Sequence, residues 1–428
     1  MNRGIFSFCA FLFLCLPTNA SNESLWLTDW NQAVDIARAQ NKHVLVDFYA
    51  PWCYSCYYMD KQVLANNGFA AATKDFVLLK VDVDQKEGAA LKEKHRVSFL
   101  PTYLILTSDS RVAGRITGEQ TEKDFLAQLS EIIKSSESDE EKAIKTLRAR
   151  LAAAEYEAAE REIAGLEKTL NERLDQRLQW RILTDRLGLM AAARLGRPGG
   201  LEHLKRLLKT ETSCDLAYDF YFGRKLLENE DPQTKRTVLK NAQQALERLV
   251  NRRFFAAAEN RCADFRTGIE TLADVYAQRG AKNKQAALLK RAVRQIQQDA
   301  PRVGADRNRD DNLRFFLELA GDDGKIRSFY AELIEAYPQD YVYPHRFSKY
   351  LVGSGQAQEA LSWNERAAKL CYGANCLAVA GVKAKAMAAL GRREEAVRLL
   401  QNAAQKNQRA FPKESAALAV VAKELSNK

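Results

Sequence analysis

Two cysteines with two residues between them, Cys53 and Cys56, form the segment of this chain best suited to chemistry. They lie in the sequence Trp-Cys-Tyr-Ser-Cys, directly after the largely apolar run 44–49. A pair with this spacing can close and reopen a small disulfide ring. If Cys53 begins a helix, its sulfur faces unpaired backbone N–H groups and the positive end of the helix dipole, and both favour the reactive thiolate. The motif therefore predicts a thiol–disulfide redox centre.

The same pair could instead bind zinc. A structural zinc ion needs four ligands, often from two such cysteine pairs or from added histidines. The sequence has no second Cys-x-x-Cys, and its four histidines are scattered, at positions 43, 95, 203 and 345. We therefore expect no metal and no bound cofactor.

The first twenty residues are typical of a secretory signal peptide. A positively charged start at Arg3 is followed by the apolar run 5–16 and by small residues at 18–20. The apolar run is shorter than the about 20 residues that span a bilayer. A lipoprotein anchor at Cys15 is the alternative, but Leu14 stands where a small residue would be needed. The sequence predicts cleavage after Ala20 and export to the periplasm.

Six cysteines remain after the signal peptide, an even number that permits three disulfides in an exported chain. Cys371 and Cys376 flank a predicted helix–turn–helix junction, where we expect a structural disulfide rather than a second redox site. Cys214 and Cys262 lie on separate predicted helices. They either pair or remain inert thiols, because geometry alone decides.

The positive charge lies in the second part of the chain. The formal net charge is +10, yet residues 21–134 contain 13 basic and 15 acidic side chains, so residues 135–428 carry the excess. Nucleic acid is not an expected partner outside the cytoplasm. An acidic protein surface or anionic lipid headgroups fit better, and a solvated basic surface without a partner is the plainer alternative.

Residues 21–134 alternate between predicted strands and helices. The first strand is apolar along most of its length, as expected for a strand buried on both faces. Thr121 is predicted to cap the last helix, with Asp124 at its third position. The predicted strands are 43–49, 76–83, 102–107 and 112–116, and the predicted helices are 29–40, a helix after the cysteines, 85–95 and a helix that follows Thr121.

The polar segment 135–142 is predicted to be a linker, and beyond it the strand patterns disappear. The sequence around Gly355 recurs around Gly391, and Gly321 precedes Gly355 by a similar interval. A period near 34 residues with glycine in the turn resembles tetratricopeptide repeats. Residues 143–428 are therefore predicted to form an all-α helical-repeat domain, with the clearest repeats over about 310–428.

Residues 43–134 resemble a thioredoxin domain, so an α/β thioredoxin fold is expected before the helical repeats. Within that family the sequence is most similar to the C-terminal periplasmic domain of thiol:disulfide interchange reductases, which share the Tyr-Ala-x-Trp-Cys lead-in. The matching features, in chain order, are Asp47, the Trp-Cys-x-x-Cys motif, Lys80, Val83-Asp84-Gln85, Leu100-Pro101-Thr102 and Gly118.

The resemblance implies a role for each residue of the redox centre. Cys53 would be the exposed nucleophile, and Cys56 would resolve the mixed disulfide. Asp47, on a buried strand, would lie beneath Cys56 and help to move its proton. Lys80 would be the charge partner that makes a buried carboxylate tolerable. The alternative for Asp47 is a side chain that points to solvent.

The resemblance also implies a substrate-binding loop at Pro101. A cis peptide bond before Pro101 would turn the backbone of Leu100 toward the sulfurs, where it could pair with a substrate strand. Trp52 would shield one side of the disulfide. Many thioredoxins have small glycines before this proline, whereas this chain has Ser98-Phe99-Leu100. The substrate groove is therefore expected to be narrower or more apolar.

These features predict an exported thiol–disulfide oxidoreductase that acts on a cysteine-containing protein. A reductase or isomerase is favoured over an oxidase, because no histidine lies between the cysteines to stabilise the thiolate. A membrane or periplasmic thiol protein would be the redox partner, and the repeats would bind the client or that partner. The alternative is a helical-repeat scaffold whose thioredoxin domain is accessory or redox-inactive. A third hypothesis, in which the repeats hold an unfolded client while Cys53 reduces it, rests on analogy.

Overall fold

The computed structural model describes residues 26–134, 139–171, 178–257, 260–299 and 302–427. Within these ranges an α/β part comes first and a long series of helices follows, as predicted. The predicted signal peptide and residues 135–138 of the predicted linker lie outside the described residues. No helix of the described ranges combines the length and apolar character needed to span a membrane.

Four strands form the sheet of the α/β part. They are β1 (His43–Tyr49), β2 (Phe76–Asp82), β3 (Thr102–Leu106) and β4 (Val112–Thr117). Their order is β2-β1-β3-β4, with β1 parallel to β2 and antiparallel to β3, and with β3 antiparallel to β4. The interior of β1 is fully buried, which its apolar run allows. All four predicted strands are confirmed, and three of them differ from the prediction by one residue at one end.

Five helices pack on this sheet. They are α1 (Trp30–Gln40), α2 (Tyr54–Met59), α3 (Asn67–Ala72), α4 (Lys86–Lys94) and α5 (Glu122–Ile133). One apolar core contains α1 residues, one face of β1 and both redox cysteines, and a second core contains residues of α3 and α5. The predicted cap of α5 is confirmed, because the Thr121 hydroxyl accepts the backbone N–H of Asp124 at 3.1 Å.

The rest of the described chain is helical. The helices are α6 (Asp139–Ala152), α7 (Tyr156–Asn171), α8 (Leu178–Leu195), α9 (Gly200–Thr210), α10 (Asp215–Gly223), α11 (Pro232–Leu249), α12 (Phe265–Gln278), α13 (Lys282–Asp299), α14 (Arg307–Ala320), α15 (Asp323–Ala336), α16 (Val342–Gly353), α17 (Ala357–Leu370), α18 (Asn375–Ala389), α19 (Arg393–Asn407) and α20 (Pro412–Ser426). Residues 139–142, predicted as linker, are part of α6.

Glycines close the turns inside three successive helix pairs. Gly321, Gly355 and Gly391 have φ angles of 72°, 76° and 81° and follow α14, α16 and α18. Only glycine adopts this left-handed conformation without a Cβ penalty, which is why the repeat shows glycine in the turn. The predicted helix–turn–helix units are confirmed, and their assignment as tetratricopeptide repeats remains a prediction.

The helical part wraps around the α/β part. It starts at the edge of the sheet, where Arg115 of β4 donates to the carbonyl oxygen of Ala152 at 2.5 Å. It then passes over the end of the sheet that carries the cysteines and finally reaches the end of β2, where Ala374 contacts Asp84. The position of the helical part relative to the cysteines is therefore set by contacts at both sheet edges and between them.

Candidate active site

Cys53 occupies the position that the sequence predicts, at the start of a helix. The chain leaves β1, makes a turn closed by a 3.1 Å bond from the Cys53 N–H to the Ala50 carbonyl oxygen, and enters α2 with Cys53 as its N-cap. The Cys53 Sγ accepts the backbone N–H of Cys56 at 3.1 Å. The two sulfurs are joined in a disulfide. After reduction, this N–H group and the helix dipole would stabilise a thiolate on Cys53.

The prediction that Cys53 is exposed is wrong. Cys53 and Cys56 are each only 4% exposed. The helical part covers them through the backbone of their neighbours: Arg346 of α16 donates to the carbonyl oxygen of Trp52 at 3.0 Å, and Asn308 of α14 donates to that of Tyr54 at 3.1 Å. The sequence around the cysteines could not indicate this cover, because both donors lie about 250 or more residues further along the chain.

Asp47 lies in the middle of β1 and is 2% exposed, so the solvent-facing alternative is excluded. Burial raises its pKa to about 7, although the positive charge of Lys80 lowers it. Lys80 is opposite Asp47 on β2, but its Nζ is 4.0 Å from Asp47 and only 2.6 Å from Asp60. Lys80 is therefore shared, with Asp60 as its nearer partner, and Asp47 can exchange a proton near neutral pH.

We expect Asp47→Asn to stabilise the protein only at higher pH. The folded-state pKa of about 7 exceeds the ordinary aspartate value of 3.8, so the stability that protonation brings is complete below about pH 4 and is lost as the pH rises through 7. Asparagine stays neutral at every pH. The unfolding free energy of the variant should therefore rise relative to that of the wild type by up to about 1.4 kcal/mol per pH unit in this interval.

Urea denaturation of both proteins at pH 5 and pH 8 measures this difference. Asp35→Asn is the control, because the Asp35 side chain is 73% exposed and should show no such change. The raised pKa would be contradicted if the unfolding free energies of Asp47→Asn and wild type differed by the same amount at both pH values.

The loop before β3 contains the predicted cis peptide bond, between Leu100 and Pro101. Leu100 is half-buried against the apolar cluster that contains Cys53 and Cys56. On its other side the loop meets α10, where the ring centroids of Phe99 and Tyr218 are 6.0 Å apart in an edge-to-face arrangement. The helical part therefore also covers the Pro101 side of the disulfide.

Trp52 contacts the helical part on the side of the disulfide opposite to the Pro101 loop. Its ring packs on an apolar cluster that includes Tyr341 and Val342 of the helical part. The Trp52 side chain also lies near Asp84, which follows β2. Burial raises the pKa of Asp84 to about 6, and the hydrogen bond from Asn375 and the nearby Trp52 side chain limit this rise. Trp52 thus packs against both the apolar cluster that contains the cysteines and a cluster of the helical part, and its role in shielding the disulfide remains a prediction.

A cluster of charged side chains in the helical part contacts the segment around Cys53. The guanidinium of Arg266 lies 3.5 Å from the ring centroid of Tyr54 and donates to Asp311 at 2.8 Å. Asp311 also pairs with Arg314 and with Arg346, the residue that binds Trp52. Sequence analysis missed this cluster, because charged residues on amphipathic helices are normally solvated and no local pattern marks these as buried.

Glu119 is a second residue that sequence analysis missed. It is 3% exposed, lies near the side chain of Ser55 between the two cysteines, and accepts from Asn308 at 3.2 Å. Burial raises its pKa well above the ordinary value. The raised pKa favours the protonated form of this carboxyl beside the redox motif. The adjacent family residue Gly118 was the only signal in the sequence.

One trio of the described residues, Glu167, Asp185 and His203, has ligand atoms within 4.8 Å of one another. The guanidinium of Arg206 donates to Glu167 at 2.9 Å and to Asp185 at 2.7 Å, and it contacts His203 at 2.8 Å. This side chain already supplies the positive charge that the carboxylates require, so the trio is an ion-pair network. None of its members belongs to the redox motif.

Comparison with known proteins places the α/β part in a family. Residues 25–108 match the family model described as thioredoxin-like. The thiol:disulfide interchange protein DsbD of Pseudomonas fluorescens is 41% identical over 98 residues, which are 22% of this chain and 17% of that protein. DsbD 2 of Pseudomonas aeruginosa is 34% identical over 119 residues, which are 26% of this chain and 20% of that protein.

A solution structure of a thioredoxin from Thermus thermophilus is 29% identical, with a TM-score of 0.24, and the match covers 26% of this chain and 87% of that one. The chain spans about a fifth of the length of the curated relatives it matches. The family match thus covers the α/β part as far as β3 and leaves β4, α5 and the helical part outside it. Residues 25–108 form a thioredoxin-like domain that is homologous to part of the thiol:disulfide interchange proteins.

Proposed function

We propose that this protein is a thiol–disulfide oxidoreductase whose redox centre is the Cys53–Cys56 pair. The observation that carries the proposal is the position of Cys53 at the N-cap of α2, with its sulfur bonded to the N–H of Cys56. A thiolate at this position is stabilised by the helix and has a second sulfur one turn away to displace what it captures.

The reduced pair would act on a client disulfide in two steps. The Cys53 thiolate attacks one client sulfur, the client S–S bond breaks, and the second client sulfur leaves as a thiolate. Cys56 then loses its proton and attacks the Cys53 sulfur, which releases the client as a dithiol and leaves the Cys53–Cys56 disulfide. Asp47, with a pKa of about 7, is the proposed proton acceptor for Cys56. A thiol redox partner would return two electrons and two protons.

We further propose that the protein is exported to the periplasm and works there as a reductase or isomerase on cysteine-containing proteins. The signal-like first twenty residues support export, and the similarity to thiol:disulfide interchange proteins supports exchange with protein thiols. The absence of a histidine between the two cysteines favours the reductive direction. The helical repeats are proposed to bind the client or the redox partner. Their contacts with Trp52, Tyr54 and Phe99 mean that a client must first separate them from this face.

One observation favours a second candidate function. Both cysteines are 4% exposed beneath the helical part, as expected if the thioredoxin-like domain served only as a platform. The protein would then be a helical-repeat scaffold or binding protein. Against this, the buried Asp47 and the sulfur at the helix N-cap are costly or unnecessary in a platform.

Replacing Cys56 by alanine tests the proposed function. Without the second sulfur, the mixed disulfide on Cys53 cannot be resolved, so the variant should accumulate disulfide-linked complexes with client proteins in the periplasm. These complexes are separated on non-reducing gels and identified by mass spectrometry. The matched control is Cys53→Ser/Cys56→Ala, which should trap nothing. Equal amounts of adduct from both variants, or none from either, would favour the scaffold function.

A further inference from the structure

The segment 371–376, called the loop 371–376 below, joins α17 to α18 and includes the first two residues of α18. A disulfide between its end residues closes it. It lies directly against the thioredoxin-like domain where β2 ends. The backbone N–H of Ala374 donates to the carbonyl oxygen of Asp84 at 2.9 Å. The phenol of Tyr372 donates to the carboxylate of Asp82 at 2.6 Å. The disulfide therefore closes a loop that contacts the thioredoxin-like domain, and not a turn of the helical part that is remote from this domain.

This contact depends on the shape of the loop. Gly373 has a φ of 52°, and a Cβ at this position would lie 1.9 Å from the Asp84 carbonyl oxygen, so only glycine fits. Asn375 accepts the N–H of Tyr372 at 2.8 Å and donates to the Asp84 carboxylate at 3.3 Å. These bonds require residues 372–375 to keep one conformation, which the disulfide ring restricts.

Asp84 connects this loop to the redox motif. Its carboxylate accepts from Asn375 of the loop at 3.3 Å, and the Trp52 side chain lies near enough to lower the pKa of Asp84. Trp52 and Cys371 also pack against the same apolar cluster. Trp52 is the residue before Cys53, and its carbonyl oxygen accepts from Arg346 of the covering helix α16. A continuous set of contacts thus runs from the loop to the residue beside the buried sulfur.

We expect that the loop disulfide can be broken without unfolding the helical part. Cys371 and Cys376 are both half-buried, whereas Cys53, Cys56 and Cys262 are at most 6% exposed and, of the second helical disulfide, only Cys214 is half-buried. The loop disulfide has a sequence separation of 5, against 48 for Cys214–Cys262. Opening a short ring releases little chain entropy, so its reduction acts locally.

We propose that the Cys371–Cys376 disulfide is a reducible latch that holds the helical part over Cys53; the proposal rests on the proposed function. A dithiol reductant opens it: one thiolate attacks a latch sulfur, the S–S bond breaks, and the second reductant thiol displaces the mixed disulfide. The latch gains two electrons and two protons, and the reductant leaves as a disulfide. The freed loop releases Asp84, and the segment around Cys53 becomes accessible.

Hydrogen exchange of the backbone amides in residues 50–57 tests the latch apart from catalysis. Dithiothreitol is the probe, and the full chain carries Cys53→Ser/Cys56→Ser so that the redox pair itself cannot respond. Dithiothreitol should accelerate exchange about tenfold in this background. Adding Cys371→Ser/Cys376→Ser should give the fast rate without reductant and abolish the response. Adding Cys214→Ser/Cys262→Ser instead should leave the response in place.

A response that survives loss of the loop cysteines, or no response in any chain, overturns the latch. Tyr372→Phe in the same background keeps the loop disulfide and removes only the hydrogen bond to Asp82. This variant should therefore raise the exchange rate by a smaller factor, and it serves as a test even if the serine variants fold poorly. The outcomes separate the two proposals. A latch response with no trapping by Cys56→Ala rejects the proposed function alone, and trapping without a latch response rejects the latch alone.

Discussion

Replacing Cys53 by serine is expected to abolish the reduction of insulin disulfides by dithiothreitol in the presence of the purified protein. The reaction requires a thiolate that attacks the client sulfur, and a serine hydroxyl at the N-cap of α2 is neither ionised nor able to form a disulfide. The loss should be about 1,000-fold or more, to the rate of dithiothreitol alone, because the nucleophile of a covalent mechanism is removed. Turbidity of the precipitating insulin chains measures the rate.

Two comparisons make this result specific to the nucleophile. Cys56→Ala should also lose turnover but still form a mixed disulfide, which Cys53→Ser cannot do. Cys214→Ser/Cys262→Ser should retain turnover, because these residues lie in the helical part and take no part in the exchange. Equal turnover by wild type and Cys53→Ser would reject Cys53 as the nucleophile and favour the scaffold function.

The second large effect is expected from Asp311→Asn. Burial alone would raise the pKa of Asp311, but the guanidiniums of Arg314, Arg346 and Arg266 outweigh it and hold the pKa well below its usual range. The substitution leaves two buried guanidiniums and one half-buried guanidinium without their shared anion. Breaking such a buried network costs about 3–5 kcal/mol of unfolding free energy. Denaturation by urea at pH 7 measures the loss.

The pH dependence gives this prediction a second readout. The folded-state pKa of Asp311 is lowered, so its contribution is present above the unfolded value near 3.9 and is lost only as the pH falls through the folded value. The difference from wild type should therefore be constant between pH 5 and pH 8. Glu395→Gln is the control: its pair with Arg392 is about half exposed, so the loss of unfolding free energy should be far smaller than in Asp311→Asn. An equal loss in both variants would show that the buried cluster contributes nothing special.

The redox centre was predictable because its signals are local. The burial of β1 follows from its apolar run, and the N-cap position of Cys53 follows from a strand that ends four residues earlier. Thr121 and Asp124 predicted the start of α5 by their spacing. Glycine in the repeat turns predicted the helix pairs, since a left-handed turn selects glycine whatever surrounds it. Lys80, the expected charge partner of Asp47, is only partly available to it, because Asp60 also pairs with Lys80.

By itself the sequence determined an α/β domain with a dithiol pair at a helix start, followed by paired helices. Only the tertiary structure decided that the helices cover this pair, that Asp311 joins three arginines behind it, and that the loop 371–376 is seated on Asp84. The physical reason is distance along the chain. Periodicity, caps and turns act over a few residues, whereas these contacts join positions up to about 290 residues apart and depend on how complete surfaces pack.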